Sequence, residues 1–235
     1  MKMEAYHIVT GLTLICLSVV FAFGEDPFFD NFDRADGKPG NGWIVNSPEM
    51  ATEIKNKEIL IHGTEKTNWK RNGLERAVNN ISKVCFDFLN KDKFNIHLRV
   101  DDGKSGSKAY MDIYSPPSGN NFNYANSKDG GWPGWTKAGG ADAIDNPRKP
   151  GYRQLCLQKT GNKFKIILDG STITEVTNEK LTEITKVFIS IDAAANTTGS
   201  VHVDNVDIDN GAAKSTAVHP WEKLSTTWSH IKKTY

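Results

Sequence analysis

The sequence predicts an all-β protein, an antiparallel two-sheet β-sandwich followed by a short C-terminal amphipathic helix. Three observations carry this expectation. From Trp43 onward, apolar and polar residues alternate in runs of strand length. The runs are separated by turn residues such as Asn56-Lys57, Thr160-Gly161-Asn162 and Asp169-Gly170. Helical spacing is absent until the segment after Pro220. A closed barrel is the other all-β solution, whereas a propeller would show a blade-length repeat and none is visible.

Residues 1–24 read as a secretory signal: Lys2 near the start, an apolar run from Gly11 to Phe23, and a small-x-small site at Ala22-Phe23-Gly24. The run is shorter than the roughly 20 apolar residues that a spanning helix needs, so no membrane span is expected after cleavage. Cys16 lacks a lipobox because Ile15 stands where a small residue is required. Cleavage before Glu25 leaves roughly two hundred residues, the size of one large β domain, here assigned to 25–210. Residues 211–219 read as a linker. In 220–235, Trp221, Leu224, Trp228 and Ile231 follow helical spacing, giving a tail that docks on its own domain or on a surface partner.

Charge is nearly balanced, with 29 basic and 28 acidic residues and no basic block, which removes the electrostatic footprint of a nucleic-acid binder. Beyond the signal only Cys85 and Cys156 occur. Val84, Phe86 and Phe88 define a buried side that turns Cys85 outward, and Leu155 and Leu157 do the same for Cys156. The two either bridge or stay as thiols, because sequence does not place their strands side by side. No Cys-x-x-Cys or His-Cys spacing marks a metal site or nucleophile.

Strands are expected at Trp43–Val45, Thr52–Lys55, Glu58–His62, Leu74–Val78, Ile81–Leu89, Phe94–Asp101, Ala109–Tyr114, Arg153–Lys159, Phe164–Leu168, Thr172–Val176, Val187–Asp192 and Ser200–Ile208. In the last of these, Val201 and Val203 keep one parity while Val206 and Ile208 keep the other, which calls for a β-bulge at Asp204-Asn205 or for plain edge twisting.

The stretch from Phe94 to Tyr114 is the most informative. Phe94, Ile96, Leu98 and Val100 share one side of a strand and Asn95, His97, Arg99 and Asp101 the other. If Asp102 to Ser107 turns the chain, Met111 and Ile113 join the apolar side and Tyr110, Asp112 and Tyr114 the polar one. Pairing Arg99 with Tyr110 sets His97 opposite Asp112 and Asn95 opposite Tyr114. Amide, imidazole, guanidinium, carboxylate and phenol gathered on one face suit a polyhydroxylated ligand, through forked hydrogen bonds and ring stacking. The plain alternative is a solvated sheet face. From Ser115 to Gly151 runs a long connection rich in Gly, Asn, Pro and Asp, in which Phe122, Tyr124, Trp132 and Trp135 sit among glycines. Tryptophan faces there bind the C–H patches of sugar rings or else staple the loop to the sandwich.

Phe28 to Gly37 with Asn41 to Trp43, Phe164 to Gly170 (FKIILDG) and Gly199 to Ile208 (GSVHVDNVDI) together resemble the opening strand, a hairpin and the closing strand of secreted concanavalin A-like lectin/glucanase domains. The resemblance implies a jelly roll whose concave face often receives carbohydrate, and it covers lectins, binding modules, hydrolases, lyases and adhesive domains alike. Laminarinase-like members carry Glu-x-Asp-x-x-Glu, which this chain lacks. Alginate-lyase-like members use a cluster for which Asn95, His97, Arg99 and Tyr110 supply the residue types but not the motifs. The resemblance also implies a structural calcium near the first and last strands, with Asp30, Asp33 and Asp204 at the acidic positions; Asp33 and Asp36 otherwise cap a turn. Asn80-Ile81-Ser82 and Asn196-Thr197-Thr198 are glycosylation sequons. The expected protein is an exported, non-catalytic module that binds a polysaccharide or glycan through Asn95, His97, Arg99, Tyr110, Asp112, Tyr114, Trp132 and Trp135. A lyase or hydrolase of the same fold is the first alternative and a surface adhesion protein the second.

Overall fold

The computed structural model describes residues 27–46, 52–63, 71–90, 94–104, 108–115, 122–138, 152–192 and 198–210. The expected signal, linker and C-terminal helix, and the Asn196 sequon position, lie outside the described residues. The remaining expectation of a two-sheet antiparallel sandwich holds: among the described residues every structural element is a strand, and every strand pairing is antiparallel.

The strands are β1 (Phe28–Asp30), β2 (Ile44–Val45), β3 (Thr52–Lys55), β4 (Glu58–Gly63), β5 (Asn72–Ala77), β6 (Lys83–Leu89), β7 (Asn95–Asp101) and β8 (Tyr110–Ser115). They continue as β9 (Asn123–Ser127), β10 (Thr136–Lys137), β11 (Arg153–Thr160), β12 (Lys163–Leu168), β13 (Ser171–Thr177), β14 (Lys186–Asp192) and β15 (Gly199–Asp209). The first sheet runs β13-β12-β11-β6-β15-β4-β3, with β1 added beside the end of β15. The second runs β10-β9-β8-β7-β14-β5-β2. Strands distant in sequence lie side by side, as with β6 between β11 and β15, so the fold rests on long-range pairing rather than on local hairpins alone.

Alternation decides the faces. Ile59 and Ile61 of β4, Phe86 of β6, Leu155 and Leu157 of β11, Phe164 and Ile166 of β12 and Val201 and Val203 of β15 turn inward from the first sheet. Leu98 and Val100 of β7, Met111 and Ile113 of β8 and Val187 and Ile189 of β14 meet them from the second. The hairpin turns follow their chemistry: Asn56-Lys57 and Asp169-Gly170 both adopt positive φ at both positions, as a tight primed turn requires. The bulge is present where the parity break placed it. Pairing of β15 to β6 slips between Asp204 and Asp207, Asn205 takes φ 49°, and Val206 and Ile208 return to the core.

Cys85 and Cys156 stand directly opposite each other on β6 and β11, with Cα atoms 4.1 Å apart, and form a disulfide. Of the two alternatives open in the sequence, the bridge is the one realised.

Two expectations need correction. The long connection after Ser115 contains regular structure: β9 and β10 extend the second sheet beyond β8. Asn123, Ala125 and Ser127 lack the branched side chains that advertise a strand, but Tyr124 packs against the core and Phe122 is buried in it, so those two rings are staples rather than surface platforms. The register of β7 with β8 also differs, by two residues. Arg99 pairs with Asp112, His97 with Tyr114 and Asp101 with Tyr110. Asp101 accepts a hydrogen bond from Gly103 N at 2.9 Å and Asp102 one from Lys104 N at 3.2 Å, so consecutive side-chain-capped turns end the ladder at Asp101. A slip of two preserves parity, and each side chain stays on the face expected of it.

Candidate functional site

The outward face of the second sheet collects the polar residues that the sequence placed together. Asn95, His97, Arg99 and Asp101 come from β7, Tyr110, Asp112 and Tyr114 from β8, and Lys186, Phe188, Ser190 and Asp192 from β14. This is not a solvated face. His97 is 1% exposed, and Asn95 and Asp112 are fully buried, so their polar atoms must be satisfied within the protein.

They converge on His97, with Asp112 Oδ2 met by the ion pair to Arg71 rather than by a hydrogen bond. Its Nδ1 lies 3.1 Å from Asp112 Oδ1 and its Nε2 3.1 Å from Asp192 Oδ2. Asp192 also accepts from Asn95 Nδ2, Asn95 Oδ1 accepts from the Tyr114 hydroxyl at 3.1 Å, and Arg71 Nη2 stands 2.5 Å from Asp112 Oδ2. Burial pushes the His97 pKa down, but its hydrogen bonds to the Asp112 and Asp192 carboxylates outweigh it and leave the imidazole above its ordinary value. Burial likewise pushes the Asp192 carboxyl up, and His97 and Asn95 reverse this to hold it low. A histidine facing a carboxylate at each nitrogen donates from both and has no lone pair left for proton abstraction. Burial raises the Tyr110 and Tyr114 phenols, which makes them donors rather than bases.

Arg99 lies over the Tyr110 ring, 4.0 Å from its centroid, with Phe188 5.8 Å away on another side and Asp101 Oδ2 3.6 Å from its Nη2. Trp135 stacks on Tyr114, centroids 4.8 Å apart and planes at 24°, and reaches to 5.9 Å of His97. Trp132 meets Trp135 edge-on at 4.9 Å. Both tryptophans remain accessible, at 60% for Trp132 and 36% for Trp135. Their loop is anchored from below: Gly131 O accepts from Ser127 Oγ at 2.8 Å and from the Tyr110 hydroxyl at 3.3 Å. On the same face, Arg71, Arg99, Lys108, Asp101, Phe188 and Ser190 line a cavity of about 250 Å³.

All eight residues expected to bind ligand therefore belong to one face or its rim. Asn95, His97 and Asp112 are its buried support, while Arg99, Tyr114, Trp132 and Trp135 keep accessible surface. Sequence reasoning missed Arg71, Lys108, Phe188, Ser190 and Asp192. The alternation of Lys186, Phe188, Ser190 and Asp192 against Val187, Ile189 and Ile191 marked an outward row, but nothing in the sequence placed it beside β7.

The three aspartates expected to hold calcium do not form a fitting donor set. Asp30 accepts from Phe32 N at 2.9 Å, Arg34 Nη1 at 2.7 Å, Asn41 Nδ2 at 3.1 Å and Trp43 Nε1 at 3.0 Å, so donors already fill its carboxylate. Burial pushes the Asp30 carboxyl up and these donors more than reverse it. Asp33 pairs with Lys57 at 2.7 Å on the surface. Asp204 lies at the bulge with Asn205 and within the fields of Glu58 and Asp87. No three His, Cys, Asp or Glu side chains among the described residues converge as metal ligands.

Several solved structures share this architecture. A Bacillus licheniformis β-glucanase matches with a TM-score of 0.62 at 10% identity, over 78% of this chain and 98% of that one. The fold is the concanavalin A-like jelly roll. A non-specific endo-β-1,3(4)-glucanase from family GH16 shares this jelly roll with a TM-score of 0.55 at 13% identity, over 80% and 95% of the two chains. A structure of endo-acting O-glycanases that human gut microbiota express to initiate mucin breakdown does so at 0.60 and 10%, over 77% and 98%. No family model matches the sequence, and no curated protein matches it significantly. At these identities the jelly-roll likeness is one of fold, and what the chain does must be argued from its own residues.

Proposed function

We propose that this chain is an exported module that binds a glycan on the polar face of its second sheet without cleaving it. The observation that carries the reading is the accessible Trp132–Trp135–Tyr114 aromatic edge on the same sheet face as a buried, hydrogen-bonded charged floor and an open cavity. A sugar ring laid on Trp132 or Trp135 makes apolar contact through its C–H face, while its hydroxyls reach the guanidinium of Arg99 and the groups around it. Glycan-acting jelly rolls among the structural neighbours support a carbohydrate ligand. The disulfide and the signal-like leader support export, and among the described residues no helix is long and apolar enough to cross a membrane.

Binding is favoured over catalysis by the state of the carboxylates. Retaining glycoside hydrolysis needs two carboxyl groups about 5–5.5 Å apart, one free to attack and one free to carry a proton. Here Asp112 and Asp192 face opposite nitrogens of His97, and Asp112 is further engaged by Arg71. Glu75 is tied to Lys186 at 2.6 Å. The hydrolase reading is kept by the same pair of aspartates, which sit on the face where the glycan is expected. A glycan array followed by a reducing-end assay on each ligand separates the two: binding without new reducing ends is expected, and release of ends on β-glucan or mucin glycans would favour the enzyme.

A further inference from the structure

The cavity on this face has a charge that a neutral glucan would not use. Among the described residues of its lining, Arg71, Arg99 and Lys108 are cationic and Asp101 anionic, and Asp112 behind Arg71 offsets part of that charge. The whole protein carries a formal charge of only +1, so this excess is local. Asp101 is partly spent, since its Oδ1 accepts from Gly103 N at 2.9 Å and its Oδ2 stays 3.6 Å from Arg99 Nη2. Arg71 engages Asp112 with Nη2, and a guanidinium has further N–H donors to offer beyond that contact. Arg99 rests over the Tyr110 ring, 4.0 Å from its centroid, a contact that restrains the guanidinium before any ligand arrives.

Two lining residues also carry unmet hydrogen-bonding capacity. Arg99 Nε and Ser190 Oγ are buried and lack a hydrogen-bond partner. Leaving such buried groups unpaired is costly, and a ligand oxygen in the cavity relieves it. A volume of about 250 Å³ admits an oxyanion substituent with part of its ring, water occupying about 30 Å³ per molecule.

We infer that this cavity is an oxyanion subsite, receiving the carboxylate or sulfate substituent of an acidic sugar residue whose ring lies toward Trp135. The inference rests on the glycan-binding reading and narrows it to acidic polysaccharides. Arg71, Arg99 and Lys108 face the substituent, and Ser190 donates from the floor.

The test uses matched pairs at fixed ionic strength. Calorimetric titration compares an oligogalacturonate with its methyl ester, and a sulfated carrageenan oligosaccharide with its desulfated counterpart. At least one charged member should bind tenfold or more tightly than its neutral partner, and which pair shows the difference identifies carboxylate or sulfate as the substituent. Lys108→Gln should shrink that ratio severalfold while leaving thermal unfolding unchanged, and Arg99→Gln should shrink it further. Equal affinity within both pairs, or a ratio untouched by Lys108→Gln, overturns the subsite while leaving glycan binding in place. Binding of a neutral glucan but of neither charged probe does the same. Failure of every glycan, charged and neutral, removes the glycan-binding reading and the subsite with it.

Discussion

Trp135 lies on Tyr114 with ring centroids 4.8 Å apart and planes inclined by 24°, and Tyr114 in turn donates its hydroxyl to Asn95 at 3.1 Å. One face of a surface tryptophan is thus fixed by a residue that the buried network holds still. Such a platform loses little freedom when a sugar stacks on it. Trp135→Ala should weaken glycan binding by about 1 kcal/mol and leave the unfolding midpoint nearly unchanged. Titration of both proteins with one array ligand checks this, and equal affinities would reduce Trp135 to a loop staple.

Arg99 presents a guanidinium on the accessible part of the face. Arg99→Ala should cost about 1.5–3 kcal/mol in binding, the range for charge-assisted hydrogen bonds. The same variant should not unfold the domain, because Asp101 keeps its bond to Gly103 N. Circular dichroism beside the titration distinguishes lost contact from lost structure.

His97 makes stability depend on pH in a stated direction. Its folded pKa is raised above 6.5 by Asp112 and Asp192 despite burial and the opposing Arg71 charge. Its contribution is therefore complete below about pH 6.5 and is lost as pH rises through the folded value. Asp192 works the other way: its lowered pKa gives stability above about pH 3.8 that disappears on acidification. Urea unfolding from pH 6 to 9 should show stability falling with pH, and His97→Gln should flatten that slope. A slope unchanged in the variant would place the titration elsewhere.

Asp204 at the bulge is pushed up to about 6, first by burial and then by Glu58, Asp87 and Asp30. Its folded state prefers the proton, so stability is lost as pH rises from about 3.8 through 6. Asp204→Asn should stabilise the domain at pH 7 by about 1–2 kcal/mol, a figure discounted for partial solvent screening, and the gain should vanish at pH 3.5. Thermal melts at the two values test it.

The disulfide closes a loop over a sequence separation of 71. In the chain-entropy description this stabilises by about 4 kcal/mol, of which real proteins commonly show 2–4. The double variant Cys85→Ser, Cys156→Ser should lower the unfolding free energy by that amount without changing glycan affinity, since the bridge lies on the other sheet.

What the sequence disclosed and what it withheld divide along physical lines. Ile96, Leu98 and Val100 marked which side of β7 faces the core, and Val201 and Val203 against Val206 and Ile208 located the bulge, because parity is a local property of the chain. Register was less legible: the Asx turns at Asp101 and Asp102 shortened the β7–β8 ladder, and such capping competes with pairing in a way residue types alone do not rank. Partnership across the sheet was not legible at all. Asp192 reaches His97 because β14 lies beside β7, and Arg71 reaches Asp112 from just before β5. Both placements follow from topology that no short window contains. The engagement of Asp30 was hidden for a related reason, since the Arg34, Asn41 and Trp43 donors that fill its carboxylate become neighbours only in the folded loop.

Hydrogen–deuterium exchange with and without the tightest array ligand tests the central claim most directly. The account predicts protection concentrated in Asn95–Asp101, Tyr110–Ser115, Lys186–Asp192 and the Gly130-to-Trp135 loop. Protection confined to the first sheet, around β6, β11 and β15, would contradict it.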